Sequence, residues 1–221
     1  MIRTIELNRT VTDSNDRDAQ KLRLELKERG IFLINLMSAP GSGKTTLLSR
    51  TITDLEGKVG IGVMEADIAS DVDAERIGTL GAESLQIHTG GMCHMDAGMT
   101  RAGLENMNSA DLRIVFLENV GNLICPAEFD TGAHRNVMIL SVPEGDDKPL
   151  KYPLMFRKSE ALVITKTDTT PYFDFDIEAV KRRVLSLNPS ISIFPVSAKT
   201  GEGMDKWEAW LLSEREKWLN A

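Results

Sequence analysis

Apolar positions along the chain gather into seven short runs, separated by segments that read as helix or turn. Ile31–Met37 is nearly continuous in apolar residues, the pattern of a parallel strand covered on both faces. Further strands are predicted at Val59–Met64, Ser84–Ile87, Arg113–Glu118, Arg135–Val142, Ala161–Thr165 and Ile191–Val196. Helices are predicted over Thr12–Arg29, stopped by Gly30, then Lys44–Leu55, Asp71–Leu80, Asp96–Met107, Asp174–Leu187 and Gly203–Leu219. Leu22, Leu24 and Leu26 fall on mixed faces of the first helix. Trp207, Trp210, Leu211 and Trp218 recur at helical spacing on the last and read as packing residues. This alternation predicts an α/β fold, a doubly wound and mostly parallel sheet with helices on both faces. Ligands of such sheets bind beyond the carboxyl ends of the strands. The expected organisation is an N-terminal helical extension, residues 1–30, followed by one domain over residues 31–221.

Composition narrows the classes. The 221 residues are 42% apolar, enough for one well-filled core. A formal charge of −7 argues against a nucleic-acid partner, which needs clustered cations. No apolar run approaches the ~20 residues that span a bilayer. Met1–Gln20 is polar, carries Asp13, Asp16 and Asp18, and lacks the apolar stretch of a secretory signal. Cys93 and Cys125 therefore read as reduced thiols, and a cytoplasmic protein with no membrane partner is expected.

Ser38-Ala39-Pro40-Gly41-Ser42-Gly43-Lys44-Thr45 follows the first buried strand and opens a helix, the setting of a P-loop. Gly41, Ser42 and Gly43 let backbone N–H groups curl around phosphate oxygens, and the helix N-terminus adds positive potential. Lys44 reaches the outer phosphates, Thr45 offers a hydroxyl to Mg²⁺, and Thr46 continues the nucleotide-binding run. Ser38 stands where the motif usually has glycine. The loop places the chain among the P-loop NTPases.

Thr165-Lys166-Thr167-Asp168 follows a predicted strand and resembles the guanine-reading Asn-Lys-x-Asp motif, with Thr165 in the Asn position. An aspartate carboxylate accepts from guanine N1–H and the 2-amino group, a donor pair that adenine lacks. Ser197-Ala198-Lys199 resembles the second guanine loop. The order of these segments favours GTP over ATP, and the loss of the Asn amide at Thr165 predicts weaker bracing and weaker affinity. Val115–Gly121 reads as a Walker B strand: Glu118 holds Mg²⁺ through water, and the Gly121 N–H senses the γ-phosphate. Asp67, after Glu65 and Ala66, is the candidate to touch Mg²⁺ or orient the attacking water. Asp71 and Asp73 fall on the expected switch segment, where an exposed helix start is the plainer account of Asp73 and Glu75. His88 and His134 read as ordinary histidines.

Gly90-Gly91-Met92-Cys93-His94-Met95-Asp96 and Asn122-Leu123-Ile124-Cys125-Pro126 emerge near the nucleotide-sensing loops. Two thiolates and an imidazole suit Zn²⁺ or Ni²⁺, and ligands shared across a two-fold axis would close the coordination shell. These segments, with Asp71–Ile77, Glu118–Pro126 and Pro143–Pro153, resemble the HypB family of GTPases, over nearly the whole chain from Ile5. The resemblance implies an Mg²⁺-dependent GTP hydrolase assisting nickel insertion into nickel–iron hydrogenase. It also implies a GTP-responsive homodimer with its Ni²⁺ or Zn²⁺ site at Cys93, His94 and Cys125, and a hydrogenase maturation partner and large-subunit precursor as clients. The N-terminal Cys-rich and His-rich tracts of some family members have no counterpart in residues 1–30, so nickel storage is not expected; Ala66 and Thr165 also depart from the family pattern. A related accessory GTPase for another metalloenzyme and a non-hydrolysing metal-binding scaffold remain open alternatives.

Overall fold

The computed structural model describes residues 8–66, 77–108 and 110–221. Its centre is a sheet of seven strands: β1 (Phe32–Ser38), β2 (Gly60–Glu65), β3 (Glu83–Gln86), β4 (Leu112–Glu118), β5 (Arg135–Ser141), β6 (Ala161–Thr165) and β7 (Ser192–Pro195). Their order is β3-β2-β4-β1-β5-β6-β7, and every pairing is parallel. The chain winds outward from β1 to β3, returns through β4, and then builds the other half. Strand ends flanking such a reversal open a crevice.

Helices cover both faces. They are α1 (Asn8–Arg29), α2 (Lys44–Asp54), α3 (Ala97–Glu105), two short turns α4 (Lys148–Lys151) and α5 (Pro153–Arg157), then α6 (Ile177–Leu187) and α7 (Met204–Asn220). Alternation along the strands sets the layers. Phe32, Ile34 and Leu36 of β1 pack with Leu47 and Leu48 of α2 and Trp207 and Leu211 of α7. Leu33 points the other way, into a cluster with Leu22 and Leu26 of α1 and Leu104 of α3. All seven residues of β1 are buried, as a central parallel strand requires.

The predicted helix at Thr12–Arg29 begins earlier, at Asn8, and ends where Gly30 (φ 67°) allows a left-handed turn. There the Ile31 N–H reaches back to the Leu26 carbonyl at 2.9 Å, satisfying an end-of-helix acceptor. Leu22 and Leu26 face the core while Leu24 is 67% exposed. Asp96 and Asp176 lie outside α3 and α6 as N-caps, accepting from the Met99 and Ala179 N–H groups at 2.8 and 3.0 Å. The helix predicted over Asp71–Leu80 lies mostly outside the described residues, as do Asp67, Asp71, Asp73 and Glu75. No element was expected where α4 and α5 occur. Pro149 and Pro153 sit in the first turn of each, where a missing N–H costs nothing.

Because Leu26 is fully buried in the cluster that also holds Leu33 and Val115, α1 is part of the structural core. Leu26→Ala is expected to lower unfolding stability by roughly 2–5 kcal/mol. Urea denaturation measures this, and a loss well under 1 kcal/mol would mean that α1 is held mainly by its surface contacts.

Candidate nucleotide and metal site

The carboxyl ends of β1, β2, β4 and β6 converge on one edge. Gly41 (φ 73°) and Gly43 (φ 91°) take left-handed angles that turn the chain from β1 into α2. Ser38 has an active part in that turn. Its hydroxyl donates to the Ala39 carbonyl at 2.9 Å and accepts from Ser42 Oγ at 2.7 Å and Lys44 Nζ at 2.9 Å. Lys44 is 4% exposed, so its ammonium is held inside the loop. A phosphate oxygen entering the loop takes over the ammonium from a neutral hydroxyl, a stronger charge-assisted bond.

Thr45 Oγ1 lies 3.4 Å from Glu118 Oε1, bringing together the two groups expected to hold Mg²⁺. Glu65 ends β2 in direct register with Glu118. Strand alternation puts both carboxylates on the α2 face, and both are buried. Adjacent buried acids beside a hydroxyl form a hard-oxygen set whose charge a divalent cation balances. Glu65 was missed as a site residue; an acid ending a buried strand was the available signal. Gly121 packs against the phosphate loop so closely that a Cβ there would come within 3.0 Å of Pro40 Cγ. The segment expected to sense the γ-phosphate is thus already in contact with the loop.

Beside the loop lies a cavity of about 250 Å³ lined by Gly43, Thr46, Thr165, Lys166, Asp168, Thr169, Ala198 and Lys199. Ser197 Oγ donates to Asp168 Oδ1 at 2.8 Å, holding the carboxylate in the cavity wall. Thr165 lacks the Asn amide yet still reaches the phosphate loop. Its hydroxyl donates to the Ser42 carbonyl at 2.6 Å, and Lys166 Nζ donates to the Gly41 carbonyl at 2.7 Å. Lys166 takes φ 59°, unusual for a side-chain-bearing residue, to make that reach. The shorter Thr side chain bonds the loop directly through its hydroxyl.

Cys93 is exposed, and Cys125 is half-buried at the start of a 3-10 turn, Cys125–Ala127. The neighbouring Cys93 thiol, together with burial, pushes the Cys125 thiol up from its ordinary pKa. Cys93 Sγ lies 3.8 Å from His94 Nδ1. The His94 ring is 6% exposed and stacks on Phe129 at 3.6 Å between centroids. Burial lowers its pKa, opposed by Asp96 and Glu128, which favours the neutral imidazole a metal requires. Among the described residues no group of three His, Cys, Asp or Glu side chains closes on one metal position. The structure therefore pairs the two thiols and leaves His94 against Phe129.

The remaining histidines are placed plainly. His88 is exposed beyond the end of β3. His134 is packed against Phe32 and Trp218, at 5.5 and 4.4 Å. Its Nδ1 accepts from the Leu33 N–H at 2.9 Å, and burial pushes its pKa down to about 4.

Residues 32–195 match the family model described as the CobW/HypB/UreG nucleotide-binding domain. The hydrogenase maturation factor HypB of Azotobacter chroococcum mcd 1 is 43% identical over 99% of this chain and 72% of its own length. The chain belongs to the HypB family. A hydrogenase/urease maturation factor HypB from Helicobacter hepaticus is 39% identical over 96% of this chain and 89% of its own. The crystal structure of HypB from Helicobacter pylori in complex with nickel superposes with a TM-score of 0.88 at 35% identity, covering 92% of this chain and 96% of that one. As a HypB the chain is a P-loop GTP hydrolase of hydrogenase maturation, with GTP and Mg²⁺ as its nucleotide and ion. The all-parallel sheet and helix layers are those of that family.

If Thr165 braces the phosphate loop, Thr165→Val leaves the Ser42 carbonyl without its partner. GDP affinity is expected to fall about 5- to 100-fold. Thr165→Ser, which keeps the hydroxyl, should stay within about 3-fold of wild type. Calorimetric titration reads both, and equal losses in the two variants would remove the brace.

Proposed function

We propose that this chain uses GTP binding and hydrolysis to control delivery of nickel to a metalloenzyme precursor, acting as a homodimer. One observation carries the reading. β4 ends at Glu118, and the chain then passes Gly121 and four residues later reaches Cys125, which neighbours Cys93. Nucleotide-sensing and sulfur-bearing segments are parts of one stretch of backbone.

In this reading Lys44 and the loop N–H groups hold the β- and γ-phosphates, while Asp168, Lys166 and the Ser197–Lys199 loop hold the base. Thr45, Glu118 and Asp67 hold Mg²⁺, which when bound draws charge from the phosphate oxygens. Asp67 orients the attacking water, and the Gly121 N–H reports whether the γ-phosphate is present. Cys93, His94 and Cys125 take nickel as cargo, with zinc as the competing ion. Two thiols from one chain leave coordination positions that a second copy fills, with His94 turning from Phe129. A two-fold axis at Cys93 satisfies this.

The clients are a hydrogenase maturation partner and the large-subunit precursor of a nickel–iron hydrogenase. We place the protein in the cytoplasm, where thiols such as Cys93 stay reduced. No helix among the described residues is long and apolar enough to cross a membrane. In this reading residues 1–30 are an N-terminal extension and residues 31–221 the GTPase domain. The hydrogenase/urease name carried by the Helicobacter hepaticus relative supports a second reading, in which the cargo also serves urease.

Two measurements test the core of this. Lys44→Ala should reduce single-turnover GTP hydrolysis by on the order of 10²-fold or more, and GDP should bind far more tightly than ADP. Full turnover in the variant, or equal affinity for the two nucleotides, would refute the phosphate-loop or base assignment respectively. Light scattering with a non-hydrolysable GTP analogue should give a dimer, with less dimer in GDP. An unchanged monomer in both would remove the dimeric site.

A further inference from the structure

A line of three asparagines, buried at Asn119 and Asn35 and reaching the half-buried Asn136, crosses the sheet between the nucleotide edge and the cysteine segments. Asn119 is fully buried and follows Glu118 directly, its N–H still paired to the Leu36 carbonyl of β1 at 3.0 Å. Its side-chain oxygen accepts from the Met95 N–H at 3.1 Å and the Val120 N–H at 2.9 Å. Its amide donates to Asn35 Oδ1 at 3.0 Å, and Asn35 donates in turn to Asn136 Oδ1 at 2.9 Å. Asn136 closes the line by donating to the Lys158 carbonyl at 3.2 Å.

The polarity of this line is fixed at both ends. Two backbone N–H groups face Asn119, so an oxygen must point at them; a carbonyl faces Asn136, so an amide must point there. Asn119 and Asn35 therefore each have one allowed orientation, and neither can flip without leaving a buried polar group unpaired. Asn35 sits on the same side of β1 as Leu33, in a position that a parallel strand would ordinarily fill with an apolar residue. Its retention calls for a reason other than packing.

We propose that Asn119 is a positioning residue that transmits the nucleotide state to the metal-bearing segment. It lies two residues before Gly121, which touches Pro40 of the phosphate loop, and it is bonded to Met95, the residue after His94. A shift of Gly121 toward a γ-phosphate moves the Asn119 side chain, and the Met95 N–H follows because it has that oxygen as its partner. Cys93 and His94 are carried with it. The line through Asn35 and Asn136 anchors the lever on β1 and β5, so the displacement is passed to Met95 instead of being absorbed by a side-chain rotation. The coupling has a route that does not pass through Cys125. This inference rests on the reading that Cys93, His94 and Cys125 take nickel in a nucleotide-dependent way.

The test is a competition titration of Ni²⁺, followed by its thiolate absorption, in wild type, Asn119→Ala and Asn35→Ala. Each is run with GDP and with a non-hydrolysable GTP analogue, and GDP affinity is measured in parallel. Wild type should show Ni²⁺ dissociation constants differing about 5-fold or more between the two states. In Asn119→Ala the two constants should come within about 2-fold of each other, with GDP affinity kept. Asn35→Ala, which keeps the Met95 bond but loosens its anchor, should give a smaller difference than wild type, and it decides the matter if Asn119→Ala does not fold. If wild type shows no difference, the nickel-coupling reading fails and this inference with it. A wild-type difference that persists in the variants overturns this inference alone, as does a general loss of GDP affinity in both, which marks a structural role.

Discussion

Covering both faces of a seven-stranded parallel sheet leaves polar chemistry little room except at the strand ends. The sheet is covered by α2 and α7 on one side and by α1, α3 and α6 on the other, with the edge strands β3 and β7 only half-buried. Parallel pairing then aligns every carboxyl terminus on one edge. Ser38, Glu65, Glu118 and Thr165 are the last residues of β1, β2, β4 and β6. These four strands supply the phosphate loop, the acid pair and the segment expected to read the base, each set by where its strand stops. The same geometry carries the chain from Glu118 directly to Gly121 and on to Cys125.

Within that frame the groups are held by short polar bonds into a dry interior. Ser38 is the clearest case. In the position where glycine is usual, it uses one donor and two acceptor sites to shape the loop and hold the lysine. The asparagine line is a second case, in which every member has both a donor and an acceptor role. Buried polar groups so fully matched specify one arrangement, because any alternative strands a donor or an acceptor without water.

Much of the fold was legible because it depends on local pattern. Ala161–Thr165 is bounded as its apolar run predicts, and the phosphate loop is recognisable from eight consecutive residues. The proximity of Cys93 and Cys125 followed from their shared edge of the sheet. The short helices α4 and α5 were hidden by Pro149 and Pro153, whose breaker character masks their fitness for a first helical turn. Glu65, Asn35 and Asn119 gave weaker signals: a lone polar residue in a buried run states that a partner exists but not which one. Asn119 and Asn35 are 84 positions apart in the chain, and periodicity carries no information at that range. The stacking of His94 on Phe129 was likewise out of reach, since it depends on how two loops fold over one another.

The grip of Thr165 and Lys166 on the phosphate loop links residues 123 and 125 positions apart. The loop's shape is thus completed by a strand that leaves the ribosome long after the loop itself. A nascent chain lacking β6 has the glycines and the lysine but not the two bonds that fix the Gly41 and Ser42 carbonyls. The loop with all of its bonds is therefore a property of the finished sheet. The converse also follows from mass action. GTP or GDP at 100 times its dissociation constant stabilises the native state by about 2.7 kcal/mol. A nucleotide held by both the phosphate loop and the Asp168 cavity would tie the end of β1 to the end of β6. The nucleotide serves as a clasp for the protein that hydrolyses it.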